Sequence, residues 1–113
     1  MFRNPQRQII FEHSEAPLLV LVGEDDGLME LFSEYSKFAV NRALKAGKTN
    51  ISLLKFPKTG HLIDLPHCPH VAEGKTPLLP PTETTKFGGK SQPHALAQFQ
   101  AWDTLLQFFK DKL

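Results

Sequence analysis

Neither sign of charge dominates the sequence: 13 Lys and Arg stand against 12 Asp and Glu, a formal net charge of +1. That balance creates no field able to gather nucleic acid or an anionic membrane. The basic residues are scattered, with no aromatics interleaved, so a nucleic-acid surface has little support. Cysteine occurs once, at Cys68. A lone thiol excludes an internal disulfide framework and fits a reducing compartment. Long apolar runs are missing too; the longest are about a third of what a membrane-spanning helix needs. The N-terminus, Met1-Phe-Arg-Asn-Pro-Gln-Arg-Gln8, lacks the apolar stretch of a secretory signal. These absences predict a soluble, intracellular chain, cytoplasmic unless an address says otherwise. The C-terminal Asp111-Lys112-Leu113 matches two of the three positions of the peroxisomal Ser-Lys-Leu. Asp111 puts a bulky charge where that signal has a small residue, and a helix end finishing in Lys-Leu is the plainer reading. Peroxisome and mitochondrion remain the alternatives.

What is present is ordinary globular material, 41% hydrophobic and 22% charged in 113 residues, enough for one domain with a modest core. The chain is organised around Ala16-Pro-Leu-Leu-Val-Leu-Val-Gly-Glu-Asp-Asp26. Its apolar run, residues 17–22, is too short for a helix and reads as a strand buried on both faces. Pro17 suits a first strand position, where no ladder donor is needed. Three acids follow Gly23 where the strand ends. A second apolar run, residues 51–56, leads into Pro57-Lys-Thr-Gly-His61. In open α/β sheets the chemistry gathers beyond the carboxyl ends of the strands.

Between the strands, apolar residues at 28, 31, 32, 35, 38–40, 43 and 44 predict an amphipathic helix over 28–46, with Gly47 ending it. One of the acids is expected to do no more than cap this helix, Asp25 or Glu24 being the candidates. The crossover makes the two strands parallel. Two parallel strands alone leave faces and edges uncovered, so the sheet reads as the rim of a larger one. Ahead of the first strand, Ile9-Ile10-Phe11 is either a short edge strand or a covering segment. Residues 62–92, rich in Pro and Gly, predict a long loop lying over the site beside His61. A last helix follows, with Ser91 as N-cap and Pro93 in its first turn. Ala95, Phe99, Trp102, Leu106, Phe109 and Leu113 form the stripe expected to lie on the sheet; Gln98, Asp103, Gln107, Lys110 and Asp111 are expected to face water.

In a Ser–His–Asp or Cys–His–Asp triad, the acid fixes the imidazole tautomer and the histidine moves the nucleophile's proton. In α/β-hydrolases the chain order is nucleophile, acid, histidine. Asp26 and His61 stand in that order, each after a strand. Cys68, within His67-Cys-Pro-His70, matches no recurring zinc spacing and reads as a loop cysteine beside surface histidines. His94 reads as a packed or solvated residue; His13 stays unassigned.

The words Val22-Gly-Glu-Asp-Asp26, Pro57-Lys-Thr-Gly-His61-Leu-Ile-Asp-Leu-Pro66, Phe87-Gly-Gly89, His94-Ala-Leu-Ala-Gln98 and Ala101-Trp102 occur in this order. Together they resemble the C-terminal third of the acyl-CoA thioesterases and bile acid-CoA:amino acid N-acyltransferases, over about residues 9–113. The resemblance implies an α/β class: residues 1–113 as a C-terminal fragment of an α/β-hydrolase fold, with two parallel strands, a crossover helix, a long Pro-rich loop and a C-terminal helix. It implies Asp26 as triad acid and His61 as general base, and it suggests a structural or substrate-loop role for His94. It implies an acyl-CoA thioester as substrate, with no cofactor and no metal, and the N-terminal part of a parent chain as partner. Members carry a serine or cysteine nucleophile and an N-terminal β-sandwich. No Gly-x-Ser-x-Gly or Gly-x-Cys-x-Gly frame occurs here, and Gly27-Leu28-Met29 replaces the Asn-Trp that usually follows the acid. The expected function is therefore that of a thioester hydrolase segment holding an acid and a base, inactive alone. Three readings stay open beside it: an acyl-CoA:amino acid N-acyltransferase segment, a non-catalytic protein acting by partner binding, and another α/β-hydrolase segment of dienelactone-hydrolase type.

Overall fold

Leu18 and Ile51 start two strands that run side by side in the same direction and finish together at Gly23 and Phe56. The structure, a computed structural model, describes residues 8–113; Pro5 and the rest of residues 1–7 lie outside the described residues. Strand β1 (Leu18–Gly23) is followed by helix α1 (Phe32–Lys45), strand β2 (Ile51–Phe56), the short strands β3 (Glu73–Gly74) and β4 (Thr85–Lys86), and helix α2 (Ser91–Lys112). The architecture is α/β, with α1 as the crossover between the parallel strands.

Side chains alternate between the two faces of the β1–β2 sheet, as strand geometry requires. On one face Val40 and Ala43 of α1 close over Ile51, with Leu18, Val20 and Leu53 beside them. On the other, Ala97 and Ala101 of α2 close over Phe56, with Leu21, Leu54 and Ile63. Both faces of each strand are thus used. Leu18 to Leu21 remain only partly buried, because β1 pairs on one edge alone among the described residues.

Ile9-Ile10-Phe11 resolves to the covering segment: a 3₁₀ turn at Phe11–His13 lays Phe11 on the α1 side of the core. Arg42 stacks over the Phe11 ring at 5.4 Å and pairs with Glu12 at 2.8 Å. Lys48, although charged, is buried; its Nζ donates to the carbonyls of Ser14 and Ala16 at 2.8 Å each and ties the lead-in of β1 to the end of α1.

Three expectations need correcting. Helix α1 starts at Phe32, four residues later than the apolar spacing predicts, because residues 28–31 form a turn gathered on the Asp26 side chain. Its end is as expected: Gly47 has φ +94°, and the amides of Gly47 and Lys48 bond the carbonyls of Leu44 and Ala43, a Schellman closure. Ser91 is the first residue of α2, not its cap; Lys90 holds that position, without a side-chain cap. Finally, α2 lies on the sheet by another face than the large-residue stripe. His94, Ala97, Gln98 and Ala101 are buried, whereas Phe99, Trp102, Leu106 and Phe109 are 36–46% exposed. A two-stranded sheet is narrow, and the short side chains let the helix backbone approach it.

Candidate functional site

Because β1 and β2 end in register, the loops carrying Asp26 and His61 leave the sheet side by side. They are laced together by backbone bonds: Glu24 N–H to the Phe56 carbonyl and Asp25 N–H to the Thr59 carbonyl, each 2.9 Å. The long loop then passes against both. The Phe87 carbonyl accepts from the amides of Gly27 (3.1 Å) and His61 (2.8 Å), and Gly88 pairs with Asp26 as an isolated β-bridge. The loop over 62–92 is not wholly structureless, since β3 and β4 pair as a small antiparallel ribbon within it. The close passage explains two glycines. A Cβ on Gly60 would lie 2.6 Å from the Phe87 carbonyl oxygen and closer still to that of Gly88. Gly88 itself has φ +80°, and a Cβ there would lie 2.7 Å from the Gly27 nitrogen.

At this edge Asp26 Oδ2 meets His61 Nδ1 at 2.7 Å. The carboxylate's other oxygen, Oδ1, accepts from the amides of Leu28 (2.9 Å) and Met29 (2.8 Å). Asp26 is 7% exposed, and its two oxygens serve two loops at once. None of the three acids caps α1, whose N-cap position, Leu31, has no side-chain cap bond; Asp26 holds the turn ahead of it. Asp25 Oδ2 instead accepts from the Gly89 amide at 3.2 Å, and Glu24 pairs with Lys55 at 3.7 Å. A carboxylate on Nδ1 leaves Nε2 as the His61 ring nitrogen not engaged with Asp26. The ring forms part of the wall of a cleft of about 390 Å³ with Leu21, Ile63, Leu65 and Trp102.

Two residues of α2 stand behind the site, His94, which the structure packs, and Gln98, which it moves from the expected wet face to the interior. His94 is 1% exposed; its Nδ1 accepts from the Gly60 amide at 3.0 Å, and its Nε2–H donates to the Leu62 carbonyl at 2.7 Å. Gln98, expected in water, is buried, and its Nε2 donates to the carbonyls of Leu65 (3.2 Å) and Cys68 (3.0 Å). The spacing of His94, Ala97, Gln98 and Ala101 is a helical stripe in its own right, and reading small residues as a contact face would have found it. His67 and His70 diverge: the first sets its ring edge-on to Phe99, and the second packs on His94 and donates from Nε2 to the Gly88 carbonyl at 2.9 Å. Among the described residues no group of three or more His, Cys, Asp or Glu could hold a metal ion.

Burial pushes the His94 imidazole below its ordinary pKa of 6.5. The bond to the Leu62 carbonyl opposes that shift, and His70 adds to it. A base depressed in the folded state binds its proton more readily when unfolded. Its contribution to stability is therefore full above pH 6.5 and is lost as pH falls through the lowered folded value. Urea midpoints measured from pH 8 down to 5 are expected to drop below pH 6.5, and His94→Phe is expected to flatten that drop. An equal slope in the variant would assign the drop to other groups.

Residues 2–113 match the family described as BAAT / Acyl-CoA thioester hydrolase C terminal. The chain belongs to this family. It is 34% identical over 102 residues to the bile acid-CoA:amino acid N-acyltransferase of Mus musculus, covering 90% of this chain and 24% of that protein. Identity to acyl-coenzyme A thioesterase 1 of the same species is 36% over 103 residues, again 90% and 24%. For the mitochondrial acyl-coenzyme A thioesterase 2 of Rattus norvegicus it is 36% over 103 residues, 90% and 22%. The chain thus spans about a quarter of the length of these curated relatives. The names of these relatives refer to bile acid-CoA and to acyl-coenzyme A. No helix of the described residues is long and apolar enough to cross a membrane.

Proposed function

We propose that this segment supplies the acid and base of an acyl-CoA thioester-cleaving site, with His61 as general base and Asp26 as the carboxylate that orients it. The observation that carries the reading is the 2.7 Å contact between Asp26 Oδ2 and His61 Nδ1 at the ends of two parallel strands. With Nδ1–H donated to the buried carboxylate, Nε2 carries the lone pair that a general base needs. No nucleophile frame occurs in the 113 residues, so the serine or cysteine comes from outside them. On this reading residues 1–113 form the C-terminal part of an α/β-hydrolase domain, and the part bearing the nucleophile is their partner. His61 removes the nucleophile's proton as it attacks the thioester carbonyl. The carbon–sulfur bond breaks, and the proton passes to the departing coenzyme A sulfur. Water activated by His61 then releases the acyl group as the free acid. An amino acid amine in place of that water would make the same site an N-acyltransferase.

The reading places the chain in acyl-CoA metabolism inside the cell, and one relative is mitochondrial by name. The 113-residue chain alone is expected to turn over palmitoyl-CoA no faster than buffer. Turnover that disappears in His61→Ala would overturn this and require a nucleophile within the chain. Residues 2–113 exchanged for the matching quarter of mouse acyl-coenzyme A thioesterase 1 are expected to restore hydrolysis. Product analysis with glycine present separates free acid from N-acyl product. A non-catalytic, partner-binding role has one observation in its favour, the exposed row Phe99, Trp102, Leu106 and Phe109 on α2. A well-folded exchange protein without activity would favour it.

A further inference from the structure

His94 is the largest fully buried side chain among the described residues, and its two ring nitrogens are spent on the backbone either side of His61. A carbonyl oxygen only accepts and an amide N–H only donates. Both bonds therefore coexist in one state of the ring, the neutral tautomer with the proton on Nε2. We infer that His94 is a positioning residue for His61: by gripping Gly60 N–H and the Leu62 carbonyl, it fixes the loop so that the His61 ring reaches Asp26. Its catalytic meaning rests on the acid–base reading above; the geometric claim does not.

Three of the hydrogen bonds that hold this loop meet at Gly60, His61 and Leu62. Two come from His94, and the third runs from the His61 amide to the Phe87 carbonyl at 2.8 Å. Without the imidazole, the Gly60 amide would be left buried and the Leu62 carbonyl half-buried, both without this partner. A buried unpaired group loses its solvation with nothing in return, so the loop would move to find water. His70 backs the arrangement. Its ring lies 4.5 Å from that of His94, and its Nε2–H donates to the Gly88 carbonyl at 2.9 Å, on the strand-like passage that bridges to Asp26. The α2 helix thereby communicates with the Asp26–His61 pair through one rigid ring, although its residues supply neither member of the pair. A stripe of small residues allows it: Ala97 and Ala101 bring α2 close enough for His94 to reach the loop.

The test uses the ¹⁵N-labelled 113-residue chain and does not depend on activity. Long-range imidazole correlations at neutral pH are expected to show His94 with Nδ1 unprotonated and Nε2 protonated. Either the opposite tautomer or a charged ring would overturn the inference. The His61 Nδ1–H, hydrogen-bonded to Asp26, is expected to give a resonance protected from exchange with water. In His94→Phe that resonance should vanish into exchange while the far-ultraviolet spectrum keeps its helical signal. His94→Gln retains a donor near the Nε2 position, and His94→Asn retains an acceptor near Nδ1. Each should keep one arm of the grip and speed exchange at His61 roughly tenfold, the factor for one hydrogen bond of ordinary net strength. Exchange unchanged in a folded variant would overturn the positioning role. Collapse of all three variants would also overturn it, in favour of a purely fold-holding residue. Should His61→Ala leave the exchange protein described above fully active, the acid–base reading would fall while these resonances stayed as they are.

Discussion

Asp26→Asn, placed in the exchange protein with the thioesterase's nucleophile, is expected to lower kcat by roughly 10³–10⁴-fold with little change in KM. The reason is the division of labour between the two carboxylate oxygens. Oδ1 accepts from the Leu28 and Met29 amides, and the asparagine oxygen can keep both bonds. The fold of the turn is therefore preserved. At Oδ2, facing His61 Nδ1 at 2.7 Å, the asparagine presents an N–H₂ group, which donates where the carboxylate accepted. Nδ1 must then offer its lone pair, the ring proton moves to Nε2, and the general base is lost. Binding of the acyl-CoA is untouched by that change, so the loss falls on kcat. A kcat within a few-fold of the parent would remove Asp26 from the acid role and turn attention to Asp25 or Glu24.

Gly60→Ala is expected to destabilise the 113-residue chain by about 3 kcal/mol or more, since a methyl group there meets backbone that cannot step aside. The new Cβ would sit 2.6 Å from the Phe87 carbonyl oxygen and nearer to that of Gly88. Phe87 is anchored in turn by the Gly27 and His61 amides, so the loop over the site cannot withdraw without releasing both strand ends. Gly47→Ala is the control. That glycine has φ +94° with nothing within 4 Å of its would-be Cβ. Its substitution should cost only about 1–2 kcal/mol, the strain of a left-handed alanine. Urea unfolding of the two variants side by side decides the matter. An equal loss in both would mean that the loop packing over Gly60 yields easily.

The difference between these two glycines illustrates which features could be read in advance. Gly47 stands after a helical pattern and before polar residues, and its conformation follows from local rules alone. Gly60 looks, in the sequence, like any turn glycine beside a histidine. Its constraint comes from Phe87 and Gly88, more than twenty residues away along the chain. The same distinction separates Asp26 from Asp25 and Glu24. Position after a strand nominates all three acids, the family words single out Asp26, and the register of β1 against β2 brings its carboxylate to His61. The buried face of α2 departs from the expected stripe for a related reason. Hydrophobic size marks Phe99, Trp102, Leu106 and Phe109, but close approach to a narrow sheet selects the stripe of alanines with His94 and Gln98.

By itself the sequence determined the two parallel strands, the crossover helix with its Gly47 stop, the closing helix, and the family to which the chain belongs. These follow from apolar periodicity, short-range turn chemistry and the local words around Asp26 and His61, all of which are properties of neighbouring residues. Only the tertiary structure decided that Asp26 serves the Leu28–Met29 turn and His61 at once, and that His94 grips the loop at Gly60 and Leu62. Hydrogen bonds and close contacts between distant segments depend on ångström-scale placement, and no pattern along the chain encodes that placement until the chain has folded.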